Sequence, residues 1–189
     1  MVIMHRISRT FLLAFLFMPS LVSSEVLDSS RLGFTSRNSA QLAAPPDDVY
    51  AALVQQVGSW WSSDHTISGS AENLRIDAMQ GGCFCETLAD AGSVRHLTVV
   101  HANPGKLLRM TGGLGPLQAE AVNGSLSWVF EGIESGTNLT VTYSVGGYVT
   151  GGLDTWSAGV DRVVGEQLAR LARYVETGDP EVTTHENGQ

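Results

Sequence analysis

An apolar residue recurs every three or four positions from Trp156 through Val160, Val163, Val164, Leu168 and Leu171 to Tyr174. Asp161, Arg162, Glu166 and Arg170 fall on the other side and no proline interrupts the run, so the pattern predicts one amphipathic helix from near Asp154 to about Thr177. Such a stripe is stable only when another layer covers it, and the cover must come from earlier in the chain. Residues 73–148 supply it. They form short alternating runs (Leu74 to Met79, Cys83 to Leu88, Val94 to His101, Leu107 to Thr111, Ser125 to Glu131, Asn138 to Tyr148), separated by Gly81-Gly82, Ala91-Gly92, Asn103-Pro104-Gly105, Asn123-Gly124 and Ser135-Gly136. That grammar is an antiparallel meander of about six strands. Leu126, Trp128 and Phe130 share one face, Leu139, Val141, Tyr143 and Val145 another strand's matching face, and both should point to a common interior.

Ahead of the meander, Gly33 to Leu42 reads as a further strand and residues 25–32 as a short tether. Ala43-Ala44-Pro45-Pro46-Asp47-Asp48 reads as a helix start, because proline is tolerated in the first turn and acids suit the positive end of the helix dipole. Val49, Ala52, Leu53 and Val57 continue at helical spacing to Gly58, and a second short helix or turn carries Trp60 and Trp61.

The extreme N-terminus has a different logic. His5, Arg6 and Arg9 precede an apolar run from Phe11 to Met18, followed by Pro19-Ser20-Leu21-Val22-Ser23-Ser24. This is the layout of a secretory signal peptide over residues 1–24, with cleavage near Ser24, and the apolar run falls far short of the roughly 20 residues of a membrane-spanning helix. The expected product is one secreted or periplasmic domain, residues 33–177, with no stable membrane anchor and a disordered polar tail over 178–189. The full chain carries a net charge of −8, and the leader holds two arginines and no acid, so the exported part is more acidic still. With no Lys/Arg cluster against that background, nucleic acid is not expected as a partner and binding to an anionic membrane surface is disfavoured.

Order and local sequence together resemble a known group. Ala44-Pro45-Pro46-Asp47-Asp48-Val49-Tyr50-Ala51-Ala52-Leu53, the Trp60-Trp61 pair, Gly81-Gly82-Cys83-Phe84-Cys85-Glu86 and the terminal helix are similar to the START-like (SRPBCC) superfamily, in particular the branch of heat-shock ATPase activator homologues and polyketide-cyclase-like proteins. The resemblance spans about residues 33 to 176. It implies an α+β helix-grip fold, in which a curved antiparallel sheet wraps a long C-terminal helix and two short helices follow the first strand. It also implies a deep cavity for an apolar small molecule such as a lipid, sterol, polyketide or aromatic. No shared catalytic motif comes with it. A role on a cytosolic chaperone, suggested by the branch name, conflicts with the export signal.

Candidate chemistry is sparse. Phe84, Glu86 and Leu88 share one side of their run, so a cavity-facing Phe84 brings Glu86 with it; the carboxyl then serves as a general base, its pKa raised by burial. The alternative turns the strand outward or pairs Glu86 with Arg95 or Arg109. Strict alternation places His96 with Thr98 on one face and Arg95, Leu97 and Val99 on the other, so His96 either joins Glu86 as an acid/base pair, or is a solvent-facing or structurally hydrogen-bonded histidine. Cys83 and Cys85, the only cysteines, share a face; free thiols are expected ahead of a labile redox pair or an intermolecular bridge, because a bond between them closes a very small loop. With His96 or His101 they are too few for a convincing metal set, and no cofactor is expected. Trp61 and Trp156 are expected to flank a cavity mouth, Phe84, Met110, Trp128, Tyr143 and Val160 to line the interior, and the glycine-rich Thr111 to Gln118 loop to serve as a lid. Asn123-Gly124-Ser125 and Asn138-Leu139-Thr140 match glycosylation acceptors, but the first is better explained as a hairpin turn.

Three functions compete. An exported carrier sequestering an apolar ligand is favoured, since no nucleophile with a matched base stands out. A cyclase, dehydratase or isomerase using Glu86 and His96 is the alternative, and a protein-interaction module presenting an acidic face to a basic partner is the third.

Overall fold

The computed structural model describes residues 22–182. The leader expected over residues 1–24 lies outside the described residues apart from Val22, Ser23 and Ser24. In chain order the elements are β1 (Val22–Ser30), β2 (Gly33–Leu42), α1 (Pro46–Gln55), α2 (Val57–Trp60), β3 (Leu74–Ile76), β4 (Cys83–Thr87), β5 (Ser93–Asn103), β6 (Leu107–Thr111), β7 (Ala121–Ile133), β8 (Gly136–Tyr148) and α3 (Asp154–Thr177). The eight strands form one antiparallel sheet in the order β1-β2-β8-β7-β6-β5-β4-β3, so β2 joins the early β1 to the last strand, β8. Curled around α3, with α1 and α2 filling one end, this is the α+β helix-grip architecture expected from the sequence.

The core lies between the inward face of the sheet and the helices. Leu108, Leu139, Val141, Leu168 and Leu171 are completely buried. The ring of Tyr50 on α1 packs edge-on against Phe130 of β7 at 5.4 Å, and Trp60 on α2 meets Trp128 at 6.4 Å. The helix start behaves as its sequence suggests, with Pro46 in the first turn and Asp47 and Asp48 beside it.

Four local expectations are corrected. Residues 25–32 are no tether: most of them belong to β1, which pairs with β2 along its length. Nearly all of β1 is exposed on both faces, so no alternation marks it as a strand. Asn123-Gly124 is no turn. It sits inside β7, opposite Gly146 and Val145 of β8, and a Cβ on Gly124 would lie 2.5 Å from the ring of Tyr143, so glycine is there for close packing. Asp161 does not face solvent: it accepts hydrogen bonds from Ser24 and Ser36 at 2.6 Å each and from Asn38 at 3.1 Å, fastening α3 to β1 and β2. Cys83 and Cys85 are joined in a disulfide and are not free thiols. Beyond Gly178, Glu181 pairs with Arg170 at 2.7 Å and Pro180 accepts from Arg173 at 2.8 Å; residues 183–189 of the expected disordered tail lie outside the described residues.

Candidate functional site

A cavity of about 760 Å³ opens between α3, the inward face of β4 and β5, and two loops. α3 contributes Trp156, Gly159, Val160 and Val163, positions that recur on one helical face. The loop after α2 contributes Asp64, His65, Thr66 and Ile67, and the single helical turn Gly115–Ala119 closes the third side with Leu114, Pro116 and Leu117. Trp61, Phe84 and His96 form the floor. These rings end an aromatic chain that starts in the core: Trp128 touches Trp60, Trp60 touches Trp61, Trp61 meets Phe84 at 5.1 Å, and Phe84 meets the His96 ring at 5.2 Å.

His96 reaches this floor through a β-bulge. Phe84 is opposite Leu97 and Cys85 is opposite Arg95, which leaves His96 as the extra residue between them. Both His96 and Leu97 are therefore buried in succession, where alternation put them on opposite faces, while Thr98 is only half-buried. The bulge aims the imidazole at β4, where its Nε2 lies 2.9 Å from the Glu86 carboxylate.

Glu86 is completely buried and fully engaged. One carboxylate oxygen accepts from the backbone N–H of Ile67 at 3.1 Å as well as from His96, and the other accepts from the backbone N–H of Ser68. Burial pushes this carboxyl up, but hydrogen bonds from Ser68, Ile67 and His96 outweigh it and hold the group below its ordinary value. The expectation of a carboxyl raised by burial is thus reversed. Nor does Glu86 pair with Arg95 or Arg109: Arg95 is exposed and Arg109 donates to Ser127 at 2.8 Å. Glu86 does not line the cavity but stands behind His96 and staples the 62–68 loop, whose start is fixed by Ser62 N–H on Gln167 of α3 at 2.9 Å. At the rim, His65 meets Glu166 at 3.2 Å.

Of the other residues singled out from the sequence, Trp61, Phe84, Trp156 and Val160 line the cavity, whereas Met110 and Trp128 are core. Tyr143 has a different position: its hydroxyl donates to Gly112 O and accepts from Leu114 N–H, both at 2.9 Å, pinning the loop that walls the cavity. Burial drives its pKa up to about 12. Gln118 adds a third tie by donating to Arg95 O at 2.6 Å, so the glycine-rich loop is a fastened wall. Among the described residues no cluster of three His, Cys, Asp or Glu is placed to hold a metal, and no helix is long and apolar enough to cross a membrane. The loop residues 64–67 and 114–119 were not singled out individually, since a loop carries no periodicity that tells which side chains face inward.

The same frame recurs in solved structures. A conserved protein of unknown function from Enterococcus faecalis superposes with a TM-score of 0.57 at 16% identity, over 84% of this chain and 78% of its own. CalU16 from Micromonospora echinospora gives 0.55 at 14% identity, over 86% and 85%. DynU16, a protein in the dynemicin biosynthetic locus, gives 0.51 at 22% identity, over 76% and 48%. At these identities the likeness is one of fold. Comparison with curated protein sequences found no match. The family model described as polyketide cyclase / dehydrase and lipid transport matches residues 34–176, from the second residue of β2 almost to the end of α3. The chain belongs to that polyketide cyclase / dehydrase and lipid transport family, a branch of the START-like superfamily.

Proposed function

We propose that this chain is exported and carries an apolar small molecule in the cavity beneath α3. The observation that carries the reading is the wall itself: about 760 Å³ bounded mainly by Trp61, Phe84, Leu114, Trp156, Val160 and Val163, with one buried polar side chain, His96, on its floor. Volume and lining match a small-molecule site, in which apolar contact supplies affinity and few polar groups supply orientation. The family description, which includes lipid transport, and the leader's sequence support the reading. Native mass spectrometry of protein recovered from its export compartment tests it. A co-purified apolar molecule, and an N-terminus near Glu25, are the expected results; an empty protein that binds nothing from a lipid and aromatic library overturns the carrier.

A second reading, a proton-transfer enzyme of the cyclase or dehydratase kind, is favoured by the 2.9 Å contact between His96 and Glu86 on the cavity floor. The reactive group in it is His96, with Glu86 as its positioning residue, because the carboxylate is buried, ionised and already saturated. Loss of product formation in His96→Ala far beyond any weakening of ligand binding, with unchanged circular dichroism, is its signature. A wild-type protein that returns every bound compound unaltered removes it.

A further inference from the structure

The polar side of the ligand is encoded in how His96 is held. Glu86 takes hydrogen bonds from the backbone N–H groups of Ile67 and Ser68, which only donate, so its oxygens act there as acceptors. The third partner, His96 Nε2, must then carry a proton to bond an ionised carboxylate 2.9 Å away. In the neutral imidazole this leaves the lone pair on Nδ1, and among the described residues His96 makes no hydrogen bond other than the one to Glu86. The ring is part of the cavity floor. An unused acceptor on an apolar floor is a cost unless the occupant brings a donor to it.

Three further observations narrow the donor. Phe84 lies 5.2 Å from the His96 ring and Trp61 lies 5.1 Å from Phe84, so the space over the acceptor is edged by aromatic faces, which favour a flat ring. An anionic group is disfavoured, since the Glu86 charge sits directly behind the imidazole and Asp64 stands on the wall. A cationic group finds no open carboxylate on the cavity floor, since the Glu86 oxygens are already taken by Ile67, Ser68 and His96, and Asp64 on the wall is exposed to solvent. Building on the cavity reading above, we propose that His96 Nδ1 is the acceptor that selects a neutral aromatic ligand bearing a ring hydroxyl, and that Glu86 is the positioning residue that fixes this tautomer.

Three fluorescent probes of one skeleton test it: pyrene, 1-methoxypyrene and 1-hydroxypyrene, titrated into the full chain at pH 8 with tryptophan quenching as the readout. All three are expected to bind, with 1-hydroxypyrene tighter by about three- to tenfold, the worth of one net hydrogen bond. The advantage should vanish in His96→Phe while pyrene binding persists. Pyrene-1-carboxylate is expected to bind more weakly than 1-hydroxypyrene. If pyrene and the methoxy compound bind as well as the phenol, the acceptor assignment is overturned and the carrier stands; if none binds, the cavity reading falls and takes this one with it. Nitrogen-15 spectra of the wild-type imidazole give a second reading that needs no variant. A proton on Nε2 and none on Nδ1 supports the assignment, and a proton found on Nδ1 overturns it.

Discussion

Glu86 shows how one residue's surroundings reverse the effect of burial. A carboxyl with no exposure should resist ionisation, yet two backbone N–H groups and His96 converge on it and lower its pKa. A depressed folded-state value means that the native protein binds fewer protons than the unfolded chain, so this group contributes stability above the ordinary carboxylate range and loses it as pH falls through the folded value. Glu86→Gln should therefore destabilise the protein at pH 7 by about 1–3 kcal/mol, because an amide donor replaces an acceptor in front of N–H groups. The same variant should show a shallower loss of stability on acidification from about pH 5 downward than the wild type. Urea denaturation at several pH values measures both; parallel pH profiles for the two proteins would show that folding does not lower the pKa of this carboxyl.

At the scale of elements, Asp161 holds the sheet edge to the long helix. Ser36 and Asn38 are completely buried on β2, and the Ser36 hydroxyl and the Asn38 side-chain N–H both donate to the half-buried Asp161 carboxylate. Gly165 lets α3 approach this point, since a Cβ there would come 2.6 Å from Asn38 Oδ1. Asp161→Ala should leave two buried donors without their charged partner and cost about 2–4 kcal/mol, with faster amide exchange in β1 and β2 than in β6 and β7. Cleavage after Ser24 leaves Ser36 and Asn38 in place, so the loss is expected in either form. A uniform rise in exchange over the whole sheet would count against this local role. None of it was legible in the stripe of α3, where Asp161 reads as one more charge on the solvent side. The stripe did mark the helix, whose bounds agree with the pattern, because α3 buries one face only. The strands from Leu74 onward were legible wherever alternation met a turn. Legibility failed where the physics leaves no period: at β1, exposed on both faces; at Gly124, a packing glycine in the guise of a turn; and at His96, where a bulge puts two successive side chains inward. The candidate site inherits that failure, for the residue types at 86 and 96 stood out but their mutual orientation depended on an irregularity that sequence alternation does not show.

Considered whole, the molecule keeps open a volume that its own helix could fill. Gly159 lies within α3 on the same face as Trp156, Val160 and Val163, lines the cavity where it is exposed, and apart from its own helix has no atom within 4 Å of where a Cβ would stand. A helix-interior glycine costs about 1 kcal/mol relative to alanine, and nothing in the packing around position 159 requires it. A larger side chain at this position would project toward the open cavity, so substitutions here test whether an occupant sits beneath α3. Gly159→Ala should then raise stability by about 0.5–1 kcal/mol with little effect on binding. Gly159→Leu should match or exceed that gain, since leucine is a good helix former and its side chain enters empty apolar space, while weakening the binding of 1-hydroxypyrene and of any co-purified molecule at least tenfold. Opposite movement of the two quantities, a higher urea midpoint and a lower affinity, is the result that ties the cavity to function. Should Gly159→Leu bind as tightly as the wild type, the ligand does not sit beneath α3; should it unfold more readily, the space is already filled by motion of the walls and is not held open for a guest.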